Sequence, residues 1–231
     1  MNKYLLTILI IITTLEITAQ EFEMLEPLHK KELSANYSRV FATLDNKISE
    51  DQTLYGKPAP GYGINLMYTG IINRFFSFQT GIIYHSMKYE LVGDQKIHYN
   101  IQLDRINIPI LFTLNSDVCK IINYSLFAGP QMSRTINSNF ENFNFPNNTH
   151  RDTSQTILSV NNDDYGIAYG ASADIAINKS RTIRIEIGGR GSFGFANIAG
   201  SVEDESNQEN ILANNTTIKT FGGYMGLKFA F

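Results

Sequence analysis

The chain has a single cysteine, Cys119, no tryptophan and only six prolines among 231 residues. A lone thiol closes no intramolecular disulfide and builds no cysteine metal centre. Charge of neither sign dominates: 19 Lys and Arg face 22 Asp and Glu, a net −3. That is too little basic excess for a nucleic-acid partner, and the acidic excess is too small, with 12% aromatic residues, for a disordered chain. After the first twenty residues no apolar run approaches the roughly 20 that a membrane helix needs. Serine elbows, His-Glu-x-x-His and calcium-loop spacings are also missing. No catalytic, cofactor-binding or metal-binding residue is therefore assigned, and no cofactor is expected.

What is present begins with a leader. Lys3 gives a positive start, Leu5–Ile12 a short apolar segment, and Thr18-Ala19-Gln20 a small or neutral end before Glu21. This pattern predicts a secretory signal peptide over 1–20, cleaved near Gln20. Residues 21–32 are charged, with Phe22, Leu25 and Leu28 at helical spacing, and read as a periplasmic lead-in. The remainder, 33–231, reads as one domain.

That domain alternates with period two. Over Arg181–Ile198, Arg184, Glu186, Gly188 and Arg190 share one parity, and Ile183, Ile185, Ile187 and Phe193 share the other. At the end of the chain, Gly222, Tyr224, Gly226 and Lys228 alternate with Phe221, Met225, Leu227, Phe229 and Phe231. Successive strand residues point to opposite faces, so each strand carries one greasy face and one of charge, polar groups or glycine. The same reading gives strands at Leu33–Phe41, Tyr62–Gly70, Phe75–Met87, about 97–115, Ile121–Ile136 and Asp164–Asn178. Within 97–115 the greasy residues change parity, from Ile101 and Leu103 to Ile106, Ile108 and Ile110. A bulge near Asp104 would reconcile the two halves. Pro109 lacks a ladder donor and predicts a second irregularity.

The connections run long, short, medium, short, long, short, long. Eight antiparallel strands, with short turns at one end and long polar loops at the other, describe an all-β, eight-stranded antiparallel up-and-down transmembrane β-barrel. Closure pairs every backbone group in lipid without leaving an edge. Eight strands enclose an interior only wide enough for side chains, so a filled lumen is expected. The implied location is the outer membrane of a Gram-negative bacterium, with outer-membrane lipid as the surrounding partner.

Four stretches resemble a known family. Arg105-Ile106-Asn107-Ile108-Pro109-Ile110-Leu111-Phe112 is similar to its Ile-Pro strand, and Phe127-Ala128-Gly129-Pro130 to its Gly-Pro strand. Asp164-Tyr165-Gly166 through Gly170 is similar to its Asp-x-Gly segment. Gly188-Gly189-Arg190 through Phe195-Ala196-Asn197-Ile198 is similar to its Arg-containing strand ending in Asn-Ile. On these the chain resembles the PorT-like outer-membrane β-barrel proteins of Bacteroidota-type bacteria, the outer membrane protein beta-barrel domain group. The resemblance spans about 33–231. It implies an integral outer-membrane barrel behind a signal peptide, and, for a relative of the namesake, proteins of a secretion system as partners. It implies no catalytic residues.

The residues singled out are those whose parity points inward. Arg105, Asp174, Arg184, Glu186, Arg190 and Lys228 are expected to form an ion-pair network in the lumen, because buried charges need partners; a gated ion path is the sharper alternative. Leu227, Phe229 and Phe231 resemble the C-terminal signal read by barrel-insertion machinery, the other expected partner. His85, His98, Glu90, Asp94 and Asp104 flank one outer loop and are the best acid/base candidates for an enzymatic reading. Asp163-Asp164 and Glu203-Asp204-Glu205 are candidate cation ligands, read more simply as solvated loop residues. These features favour a non-enzymatic structural or binding element, acting through the outer loops or the periplasmic turns. Its rivals are a secretion-machine component, an outer-membrane enzyme, and a soluble lipocalin-like barrel with its grease inside.

Overall fold

A computed structural model of the protein describes residues 29–45, 55–92, 98–142, 156–157, 160–199, 209–210 and 216–231. The predicted signal peptide, residues 21–28 of the lead-in, Asp94 and the 203–205 cluster lie outside them. Ten strands occur in chain order: β1 (Lys31–Asp45), β2 (Tyr55–Ile71), β3 (Phe76–Val92), β4 (His98–Asn115), β5 (Ile122–Asn142), β6 (Thr156–Ile157), β7 (Asp163–Ala176), β8 (Ile183–Gly194), β9 (Glu209–Asn210) and β10 (Thr217–Ala230). Eight of them form a closed barrel in the order β1-β10-β8-β7-β5-β4-β3-β2. The remaining two, β6 and β9, pair in parallel within the outer loops.

The seam that closes the barrel joins the first and last strands. Antiparallel pairing of β1 with β10 runs from Glu32 opposite Ala230 to Asp45 opposite Thr217. On its other edge β1 pairs with β2, so the barrel has no open edge. β1 starts at Lys31, two residues before the expected domain start, which brings Glu32 into the barrel.

The alternation decides which face meets lipid. Outward residues include Met132 at 71% exposure and Phe112 at 70%, with Leu126, Phe221, Ile110 and Tyr37 beside them. A soluble barrel would turn such residues inward to a core; a contiguous apolar exterior is what a hydrocarbon solvent selects. The lipocalin-like alternative fails on this observation. Inward residues are mainly small, polar or charged toward the short-turn end, as in Ser34, Asn36, Ser125, Asp174 and Lys228.

Two expectations about β4 need correction. The ladder between β4 and β5 does shift between Asp104 and Arg105, where Asn137 faces Asp104 and Thr135 faces Arg105. The extra residue is Ile136 of β5, so β4 keeps its phase. Ile101, Leu103, Arg105 and Asn107 are all buried along one inward line. The change of greasy parity thus reflects a change in what the lumen contains. At Pro109 the pairing with β5 lapses beyond Gln131 and resumes at Phe112 and Ala128 in the same register, so no second bulge forms.

The strands also outrun the expected loops. β2 begins at Tyr55, β3 runs to Val92 and β5 to Asn142. Pro58 and Pro60 sit inside β2, where the register with β3 shifts between Pro58 and Tyr62. A bulge accommodates residues that lack a ladder donor.

Candidate functional site

The lumen changes chemistry from its short-turn end to its loop end. At the short-turn mouth the Ser116–Ile121 turn folds across the opening. Arg74 donates from Nη2 to Asp117 Oδ2 at 2.5 Å, and the Val118 N–H donates to the Arg74 carbonyl at 3.1 Å. Cys119 N–H donates to Asp117 Oδ1 at 2.9 Å. Arg184, rising from β8, donates to the carbonyls of Val118 at 2.6 Å and Lys120 at 3.3 Å, and Arg181 donates to the Cys119 carbonyl. Val118 is buried beneath this cap. Burial pushes the Asp117 carboxyl up, but the Arg74 hydrogen bond, the Cys119 N–H and the Arg74 charge outweigh it and hold the group below its ordinary value. Burial, reinforced by the Asp117 charge, raises the Cys119 thiol, which leaves it a poor nucleophile.

One layer higher lies a charge cluster. Lys228 Nζ stands 2.8 Å from Asp174, 3.5 Å from Glu186 and 3.8 Å from Glu32. Asn36 donates to Glu186 Oε2 at 3.0 Å, and the Tyr224 hydroxyl to Glu186 Oε1 at 3.3 Å. Asn123 adds a 3.4 Å contact to Asp174. The partners come from β1, β5, β7, β8 and β10, so the cluster ties the seam strands β1 and β10 to the wall across the lumen.

Mid-lumen, Arg190 lies between two rings. Its Cζ is 5.3 Å from the centroid of Phe127 and 5.3 Å from that of Tyr224, a geometry in which ring faces attract a guanidinium. Around them Met67, Ile83, Leu111 and Ala168 complete a buried apolar cluster. Above this, His85 Nδ1 receives the Asn107 amide at 3.3 Å, and Gln131 donates to Asn107 Oδ1 at 3.4 Å. Arg105 pairs with Asp164 at 2.8 Å, both almost wholly buried. Nearest the loops, Val40, Ala42, Leu44, Met87, Tyr89, Ile101, Leu103, Ile198 and Ile218 form an apolar plug, with Val160 and Ala199 packed against it.

The singled-out residues are thus distributed rather than gathered. Asp174, Glu186 and Lys228 meet. Arg105 pairs instead with Asp164, which the sequence had placed among candidate cation ligands. Arg184 serves the turn carbonyls, and Arg190 stacks. Glu32, read as part of the lead-in, is the member sequence reasoning missed; its position two residues before Ser34 on the inward parity was the signal available. Of the acid/base candidates, His85 lies in the lumen, while Asp104 takes the outward parity, accepting from Asn137 at 3.1 Å. The two do not share a site, and the His98 and Glu90 side chains lie outside the described residues. Among the described residues no group of three or more His, Cys, Asp or Glu could hold a metal ion. Leu227, Phe229 and Phe231 are exposed on the lipid face.

A family model described as outer membrane protein beta-barrel domain matches residues 19–200, well over half of the chain. The chain belongs to this outer-membrane β-barrel family. No curated protein matches its sequence. Among solved structures, OprG from Pseudomonas aeruginosa aligns at TM-score 0.56 and 8% identity, over 88% of this chain and 96% of that one. Neisserial surface protein A aligns at 0.46 and 11%, over 86% and 97%. Ail of Yersinia pestis, in complex with a heparin analogue, aligns at 0.40 and 10%, over 87% and 99%. At these identities the likeness to OprG speaks to the fold, a closed outer-membrane barrel. Within the family resemblance, the four matching stretches fall on β4, β5, β7 and β8, which are consecutive neighbours in the wall. Part of the motif is packing: a Cβ on Gly129 would collide with the Ile110 carbonyl oxygen across the ladder.

Proposed function

We propose that this outer-membrane barrel is a non-conducting, non-enzymatic binding element, presenting its long loops outside the cell on a lumen filled by its own side chains. The observation that carries this reading is closure at both ends. The 117–120 turn, clamped by Arg74 and Arg184, caps one mouth, and the apolar plug around Leu103 fills the other. In this reading Glu32, Asp174, Glu186 and Lys228 are structural, an ion cluster that fixes the seam. The leader is cleaved near Gln20, and Leu227, Phe229 and Phe231 serve as the sequence that insertion machinery recognises.

A PorT-like role in protein secretion is the second reading. The short-turn end favours it, because the capped turn is rigidly held and therefore presents a fixed surface to the periplasm. A photo-crosslinking amino acid placed at Asn139, near the loop end, and at Lys179, in a short turn, separates the two. Specific adducts from Asn139 alone support the binding element. Adducts from Lys179 alone support the secretion component and overturn the first reading.

A further inference from the structure

Among the lumen cations, Arg105 and Lys228 contact carboxylates and Arg184 contacts backbone carbonyls. Arg190 differs. Its Nε and Nη1, like those of Arg184, are shut off from solvent and have no hydrogen-bond partner, but it lacks the carbonyls that Arg184 has, and its described interactions are the two rings and the more distant charge of Glu186. A guanidinium has five N–H donors and no acceptor, and leaving them unmade in a low-dielectric interior is costly. Glu186 makes no hydrogen bond to this guanidinium among the described residues; its oxygens accept from Asn36 and Tyr224 and lie beside Lys228.

Beside Arg190 is a cavity of about 20 Å³. It is lined by Ser38, Asn65, His85, Gln131, Ser192 and Thr220 among others. Gln131 spends its amide N–H groups on Asn107 and Ser133, and the Ser192 and Thr220 hydroxyls bond each other, so His85 and Ser38 are the donors that face the space. Asn107 donates to His85 Nδ1, which leaves the ring proton on Nε2. Ser38 Oγ has no partner. Asn65 Oδ1 is an orphan acceptor, and turning that amide over presents a further donor.

We propose that this cavity is a binding site for one small monovalent anion of halide size, held by Arg190 with donors from His85 and Ser38. The space admits one or two water-sized species, so sulfate, phosphate and organic carboxylates are excluded by volume. The anion supplies the acceptor that the ring-stacked guanidinium lacks. It is a static site, with the apolar plug above it and the Lys228 cluster below.

Bromide is the probe. The mature protein, folded in detergent, is crystallised from sodium bromide and its anomalous scattering measured, alongside Arg190→Met. The expected result is an anomalous peak within hydrogen-bond reach of the Arg190 guanidinium, absent from the variant. A cavity that holds only water at high bromide overturns the proposal, and this outcome is readable from the wild-type protein alone if the variant does not fold. In solution, the midpoint of thermal unfolding is expected to be higher in chloride or bromide than in gluconate at equal ionic strength. Equal midpoints in all three salts would likewise overturn it.

Discussion

At the short-turn end of the lumen, Lys228 sits among Glu32, Asp174 and Glu186; at the loop end, Tyr89, Ile101 and Leu103 pack against Val40 and Ile218 with no charge among them. Both regions lie on the inward face of the wall, and β1 and β10 contribute to each. Below, the wall is surrounded by lipid, its greasy residues face outward, and the polar ones must satisfy one another across the lumen. Above, the strands extend past the apolar band, and the interior behaves like the core of a soluble barrel. The two halves therefore respond differently to damage: a charge cluster fails when one partner is removed, whereas an apolar plug degrades with the volume removed.

The sharpest way to break this contrast is Lys228→Met. It leaves three buried carboxylates without their common cation, and the expected loss is about 3–5 kcal/mol of folding stability. Urea titration, followed by the gel mobility of unboiled protein, reads it. Adding Glu186→Gln to that variant should recover part of the loss, and a double variant no better than the single one would argue against coupling. On the outer face, Ile110→Arg should cost about 2–4 kcal/mol in a bilayer; a negligible cost there would contradict a lipid-facing wall. In the plug, Leu103→Ala should cost about 2 kcal/mol, the low end for a buried leucine because the loop end can relax.

The smallest effect is expected at the capped turn. Asp117→Asn should cost about 1–2 kcal/mol at neutral pH, the loss of one charge-assisted hydrogen bond. Asp117 is held below its ordinary value in the folded protein, so its contribution is present above the unfolded pKa of roughly 4 and is lost as pH falls through the lower folded value. Wild type and variant should converge on acidification. A difference that persists unchanged at low pH would remove the ion pair from the account.

Much of the wall was legible because lipid imposes a strict two-residue period. The inward and outward sets of β2, β5, β7, β8 and β10 follow the alternation directly, as at Tyr62, Ile64 and Leu66 against Gly63, Asn65 and Met67. The rule failed where its premise failed. Ile101 and Leu103 look like lipid-facing residues, and only their place above the apolar band turns them into core. The extensions at Tyr55–Gly61 and Asn137–Asn142 read as loops because outside the bilayer no apolar face is demanded of a strand. Cross-lumen partners were not legible either: Arg105 and Asp164 lie on strands separated by β5, and Glu32 reaches Lys228 only once the seam has closed.

The most direct test of a closed and filled barrel is conductance. Protein shown to be folded by its shifted mobility without boiling is reconstituted into a planar bilayer and held under voltage. The account predicts a silent membrane, with no steps above those of lipid alone. Steady, reproducible conductance steps from the folded protein would contradict it.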